Sequence, residues 1–191
     1  MTIPAFDHRG LLPPFIGADA RTPFRAPYAG TPSEIVARFG TTADRKRILS
    51  GFLDYRAELH AAGFVSGLQF IDGSFVENVE ALQSRSPGDV DVYTLAEIPA
   101  RYAGNAQDWA TSGRAEWQRL TDWQVNKQRY FVDSYGVVLG DVPLSDVINA
   151  ILYFHGLFGH QRVTMHWKGF AVVSLDPVGD QAARQALQVA P

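Results

Sequence analysis

SGLQFIDGSFVENVEALQSRSPGDVDVYTL, residues 66–95, decides how the rest of the chain is read. It opens within a short apolar run, residues 65–71, that ends at Asp72-Gly73-Ser74; this predicts a strand running into a glycine turn. It closes on Asp89-Val90-Asp91-Val92-Tyr93-Thr94-Leu95, which alternates and is rich in β-formers, so a second strand is expected there. Side chains alternate along a strand, so Asp89 and Asp91 point to one face while Val90 and Val92 point to the other. Two carboxylates about 7 Å apart along a strand repel unless a cation lies between them. A hard divalent ion such as Mg²⁺ suits that place, because it prefers carboxylate oxygen and keeps waters for a phosphate ligand. Glycine lets a backbone approach an anion, and the Ser74 hydroxyl can bond a phosphate oxygen. A D-x-D pair alone is common on solvated edge strands, and a Gly-Ser turn alone is ordinary. Their order, strand, Gly-Ser, then a D-x-D strand, is what carries weight.

Around this stretch the chain alternates helix and strand. In residues 42–62, Ile48, Phe52, Tyr55 and Leu59 recur at spacings of four, three and four, one face of a helix. Thr41 or Thr42 caps its start and Gly63 stops it. Residues 112–127 predict a further helix with Trp117, Leu120 and Trp123 or Gln124 toward the core. Residues 130–139 predict a strand or strand pair, residues 145–158 a helix capped by Ser145, residues 169–175 a closing strand, and residues 179–189 a short terminal helix. The pattern is that of an α/β (α+β) domain, helices packed on a mixed sheet. Residues 1–32 hold six of the eleven prolines, a density that favours an extended arm laid over the domain. Phe6, Leu11, Leu12, Phe15, Phe24 and Tyr28 give that arm something to bury. The expected organisation is an arm over residues 1–40 and one domain over 41–191.

Composition narrows the function classes. A length of 191 residues suits one domain, and 46% apolar against 19% charged is enough for a proper core. The net charge of −3 gives no overall basic field for nucleic acid. There is no cysteine, which removes disulfides, thiolate metal sites and cysteine nucleophiles together. The first residues show no basic start followed by an apolar run, and no segment approaches the roughly 20 apolar residues of a membrane span. A cytoplasmic protein with no membrane partner is expected. The five histidines do not fall at metal-ligand spacings, and the usual phosphate-loop, dinucleotide and serine-nucleophile motifs are missing.

A third carboxylate is needed to hold two metal ions. Asp133, in YFVDSY, is an acid inside an otherwise apolar strand, where an unpaired charge would be costly; a structural partner such as an arginine is the competing explanation. Asp141 is the reserve, in a turn. With these residues the sequence resembles the polymerase-β-like nucleotidyltransferase superfamily, whose signature is a Gly-Ser turn, an Asp-hydrophobic-Asp strand and a later acid. Gly73-Ser74, Asp89-Val90-Asp91 and Asp133 carry the resemblance. The strings FDHRGLLPP, IDGSFVE and GDVDVYTL look like a small bacterial branch of it. The resemblance covers residues 66–95 well and residues 6–175 loosely. Fourteen residues separate Ser74 from Asp89, long for the pattern. Room for a large second domain is also lacking.

The resemblance implies two Mg²⁺ ions, with Mn²⁺ as a substitute, and a nucleoside triphosphate such as ATP as substrate. Asp89 and Asp91 would hold both ions, and Asp133 the one that activates an acceptor hydroxyl on an RNA, a protein or a small molecule. Gly73 and Ser74 would steady the leaving pyrophosphate, and Arg85 and Lys168 would neutralise phosphates. Two other readings compete. One is a catalytically idle module of the same fold that senses a nucleotide or binds a partner protein from a neighbouring gene. The other is a metal-dependent phosphoesterase, in which a Gly-Ser turn has less to do.

Overall fold

A computed structural model of the chain describes residues 3–189. Five strands, β1 (Tyr28–Ala29), β2 (Gly67–Asp72), β3 (Val90–Glu97), β4 (Val132–Leu139) and β5 (Ala171–Ser174), form one sheet in the order β1-β5-β2-β3-β4. β1 is parallel to β5 and β3 to β4, whereas β2 is antiparallel to both of its neighbours. The helices are α1 (Pro32–Phe39), α2 (Ala43–Ala61), α3 (Val79–Gln83), α4 (Ala106–Asp108), α5 (Arg114–Leu120), α6 (Trp123–Tyr130), α7 (Leu144–Phe158) and α8 (Asp180–Val189). The protein is therefore α+β, with a mixed sheet flanked by helices. Among the described residues, no helix is long and apolar enough to cross a membrane.

The two faces of the sheet are covered unequally. On one face α2 supplies Ile48, Phe52, Tyr55 and Leu59, all buried, against Val90 and Val92 of β3, Val132 and Val138 of β4, and Ala171 and Val173 of β5. The Thr42 side chain accepts a hydrogen bond from the Arg45 amide at the start of α2, and Gly63 takes φ +81° just beyond its end. On the other face Phe70, Tyr93, Leu95, Val137 and Phe170 lie with Phe154 and Phe158 of α7 in a smaller cluster. Each large apolar side chain so buried contributes about 1.5–3 kcal/mol. Strand alternation puts Asp72, Asp91 and Asp133 on this second face, one step along from Phe70, Tyr93 and Tyr135.

Several expectations change. The arm is not extended through residue 40, because Pro32–Phe39 is a helix. Thr31 and Glu34 form a reciprocal capping box and Pro32 stands in the first turn, where its missing N–H costs nothing. β1 also belongs to the sheet. Within the arm Leu11, Leu12 and Tyr28 are buried, but Phe24 is 68% exposed. The helix expected over residues 112–127 breaks at Thr121-Asp122, where Asp122 accepts from the Gln124 and Val125 amides and starts α6. Trp117 and Leu120 are buried, whereas Trp123 and Gln124 are exposed. Pro143 precedes α7 and Ser145 lies within its first turn, bonded to Asp146 rather than capping.

Candidate active site

β2 ends at Asp72, and the chain turns at once through a 3-10 turn, Gly73–Val76. Gly73 has φ +79°, a left-handed conformation that costs any other L-residue. The turn passes so close to β3 that a methyl group on residue 73 would overlap Asp91 Oδ2. The long connection from Ser74 to Asp89 is anchored at its start by Arg45, which is buried. Its guanidinium donates to the carbonyls of Phe75 (2.6 Å) and Glu77 (2.5 Å) and to both carboxylate oxygens of Glu80 (2.6 and 2.9 Å). Arg45, in the first turn of α2, is thus a buried anchor of this connection.

Three acids stand side by side across three strands. Asp72 of β2 is in register with Asp91 of β3, and Asp91 with Asp133 of β4. Asp89 precedes β3 on the same side as Asp91, with Val90 and Val92 buried on the opposite side. Directly opposed residues place their Cβ atoms about 5 Å apart, and like charges there are unfavourable. Two lysines offset the repulsion. Lys168 Nζ lies 2.9 Å from Asp72 Oδ1, 3.1 Å from Glu77 Oε1 and 3.1 Å from the carbonyl oxygen of Gly73. Burial alone would lower the Lys168 pKa, but the Asp72 and Glu77 carboxylates outweigh it and hold the ammonium charged. Lys127 of α6 lies 2.6 Å from Asp89 Oδ2 and 3.2 Å from Asp133 Oδ2. Its hydrogen bond to Asp89, against partial burial, raises its pKa.

Asp91 is left over. Among the described residues it alone of these four acids has no ion-pair partner. Burial, then the charges of Asp89 and Asp133, push its carboxyl up to about 6. Asp133 Oδ1 is buried and accepts no hydrogen bond. As the side chains stand, no three acidic or histidine groups among the described residues converge on one point, because Lys127 reaches between Asp89 and Asp133. An all-carboxylate set with one unpaired acid and one orphaned oxygen nevertheless fits a hard divalent cation, which would supply the missing positive charge.

These residues floor an open cleft of about 470 Å³, lined among others by Asp72, Gly73, Ser74, Arg85, Asp89, Asp91, Lys127, Asp133, Arg162 and Lys168. Gly73, Ser74, Arg85, Asp89, Asp91, Asp133 and Lys168, the residues singled out in the sequence, therefore meet at one place. Lys168 differs in character from the expectation, since it is a buried structural cation and not a mobile phosphate contact. Arg85 is exposed at the rim and donates to Gln83 and the Ser86 carbonyl. Asp141 is excluded as a member: its carboxylate accepts from Trp109 Nε1 (2.6 Å) and Arg114 Nε (2.8 Å) outside the cleft. Sequence reasoning missed Asp72, Glu77, Lys127 and Arg162. Asp72 had a signal, an acid closing the strand that enters the Gly-Ser turn; the others become neighbours only through the tertiary fold.

No match is found among curated proteins or among solved structures. A family model described as "Family of unknown function (DUF6932)" matches residues 4–174, which takes in every residue of the cleft floor and rim. The chain belongs to the DUF6932 family.

Proposed function

We propose that this protein is a metal-dependent nucleotidyltransferase that moves a nucleoside monophosphate from a nucleoside triphosphate to an acceptor hydroxyl. The observation that carries the proposal is the meeting of the Gly73 turn with Asp91, beside Asp133 in register on the next strand. Asp89, Asp91 and Asp133 would hold Mg²⁺, or Mn²⁺ in its place. Bound there, the ion would neutralise phosphate charge and make a hydroxyl more acidic.

The chain's own groups supply the rest. The half-buried Gly73-Ser74 turn, which lines the cleft, receives phosphate oxygens with the Ser74 hydroxyl as donor, and Arg85 and Arg162, on the same lining, offset the triphosphate charge. The acceptor hydroxyl passes its proton to the Asp133 carboxylate as its oxygen attacks the α-phosphorus. The bond to the β-phosphate oxygen breaks, and pyrophosphate leaves past the rim. Lys168 keeps the Gly73 carbonyl in place and so holds the turn in shape.

The test is to incubate the purified protein with Mg²⁺, each labelled triphosphate and a broad acceptor extract. Pyrophosphate release and a labelled acceptor are expected, and both should vanish in Asp89→Ala with Asp91→Ala. Silence with every triphosphate would reject the activity. Release of monophosphate instead would mark a phosphoesterase.

One observation favours a second reading, an idle module that binds a nucleotide without turning it over. Lys127 Nζ occupies the space between Asp89 and Asp133. A melting temperature that rises with nucleotide, without product and without any dependence on divalent ions, would select that reading.

A further inference from the structure

The net charge of −3 hides a local asymmetry. The acids of the cleft stand on the sheet or on the connection from Gly73 to Asp89, whereas another of its walls comes from residues 156–168. That wall belongs to residues 147–175, a run without one acidic residue that carries Arg162, Lys168, His155, His160 and His166. Within it residues 160–167 fold back on themselves, His160 pairing with Trp167. The Gln161 amide donates to the His166 carbonyl (2.9 Å) and the Lys168 amide to that of Gly159 (2.8 Å). His160 borders the acidic cleft, Trp167 borders a second cleft of about 380 Å³, and Lys168 lines both.

The second cleft combines flat rings with unspent cations. Trp167 is 47% exposed and its ring lies 5.6 Å from that of Phe15, while the His155 ring stands edge-on to Phe170 at 5.7 Å. The arm supplies the far side, with Arg25 paired across from Phe15. The Arg25 guanidinium makes a single long contact, 3.5 Å, with the Ala20 carbonyl. Among the described residues, Arg25, His155 and His166 have no ion-pair partner and no acid lines this cleft. Exposed rings beside unpaired cations match the alternating bases and phosphates of a single-stranded nucleic acid. An apolar partner would leave the cations unpaired, and an acidic peptide would leave the rings unused. RNA suits the place because its ends and loops present unstacked bases. Resting on the nucleotidyltransferase reading, we infer that the acceptor is the 3′ end of a single-stranded RNA. Its terminal hydroxyl reaches Asp133, the chain crosses the 160–167 hairpin, and an upstream base stacks on Trp167 with a phosphate on Arg25. The step is the one given above: the terminal oxygen bonds to the α-phosphorus, pyrophosphate leaves, and the RNA grows by one nucleotide.

A fluorescein-labelled RNA dodecamer is titrated with the full chain in Mg²⁺ without triphosphate and followed by anisotropy. A Kd of about 1–100 µM is expected at low salt. Trp167→Ala should weaken binding about 10-fold and Trp167→Phe much less. Arg25→Gln should reduce the slope of log K against log salt by about 0.7. Both positions are exposed, so the circular dichroism of each variant should match that of the native chain. With triphosphates added the RNA should lengthen, and an RNA ending in a 3′-deoxynucleotide should not. No affinity for the RNA, with an acceptor of another class labelled in the extract, overturns this inference and leaves the transferase reading standing. Binding untouched by Trp167→Ala and Arg25→Gln overturns it too, as does binding no tighter than that of a mononucleotide, a DNA dodecamer or polyglutamate. Binding with the expected variant effects but no lengthening by any triphosphate overturns the acceptor role together with the transferase reading.

Discussion

The Cα of Gly73 lies against the carboxylate of Asp91, closely enough that no larger residue fits at position 73 without displacing Asp91. The turn and the acid are thus one unit: the turn proposed to receive a phosphate and the carboxylate proposed to hold a cation are set by the same contact. Gly73→Ala combines a positive φ penalty of about 1–2 kcal/mol with displacement of Asp91. A melting temperature lowered by about 2–8 °C is expected from the backbone alone, along with loss of nucleotidyl transfer. Calorimetry and the pyrophosphate assay read these two effects separately.

Asp91 makes the site a source of instability when no cation is bound. Its folded carboxyl titrates near 6 and the ordinary value is 3.8, so between those values the native state keeps a proton that the unfolded chain has lost. Stability therefore falls as pH rises through that window, by on the order of 3 kcal/mol in full. In chelator, Asp91→Asn should lose less stability than the native sequence between pH 4 and 6.5, and melt higher at pH 7. Equal slopes for the two proteins would contradict the burial and charge argument.

A divalent cation held as proposed would compete with Lys127 for the oxygens of Asp89 and Asp133. The Lys127 ammonium reaches Asp89 and Asp133, and its side chain is 44% exposed. Lys127→Met should bind Mn²⁺ about 10-fold more tightly, a difference of about 1.4 kcal/mol, as read by titration with paramagnetic detection. It should also be less stable than the native protein when metal is withheld. Unchanged Mn²⁺ affinity would show that the ion, if bound, sits elsewhere.

Lys168 has the opposite role, since it is buried among Asp72, Glu77 and the Gly73 carbonyl. Lys168→Met strands two buried carboxylates, and breaking such a set costs about 3–5 kcal/mol. A fall of about 6–20 °C in melting temperature is expected for a chain of this size. A variant of Arg85, exposed at the rim, should leave stability unchanged to within about 0.5 kcal/mol while weakening nucleotide binding. If Lys168→Met melted like the native protein, the buried network would not be holding the turn.

Local pattern made much of this fold legible. The 4-3-4 spacing of Ile48, Phe52, Tyr55 and Leu59 fixes a buried face whatever surrounds it, and the alternation at Asp89-Val90-Asp91-Val92 fixes which carboxylates share a side. Asp133 stood out because an acid in an apolar strand needs a reason to be there. The helix at Pro32 was hidden by the proline density around it, although Thr31-Pro32-Ser33-Glu34 carries both a capping box and a first-turn proline. The break at Asp122 was likewise an N-cap inside what looked like one continuous helix. Lys127, Glu77 and Arg162 left no local trace: Lys127 meets Asp89, Glu77 meets Lys168, and Arg162 reaches the cleft lining only through the tertiary fold. Lys168 was seen in sequence as a cation near the site, but only the fold reveals that it is already neutralised.

The central claim is that Asp89, Asp91 and Asp133 share a divalent cation beside the Gly73-Ser74 turn. Anomalous diffraction from crystals soaked with Mn²⁺ and a non-hydrolysable nucleoside triphosphate tests it directly. The expected result is a manganese peak in contact with Asp91 and Asp133, Lys127 Nζ moved off them, and phosphate density against Gly73 and Ser74. A nucleotide bound elsewhere, or Lys127 still seated between Asp89 and Asp133 with no peak beside them, would contradict it.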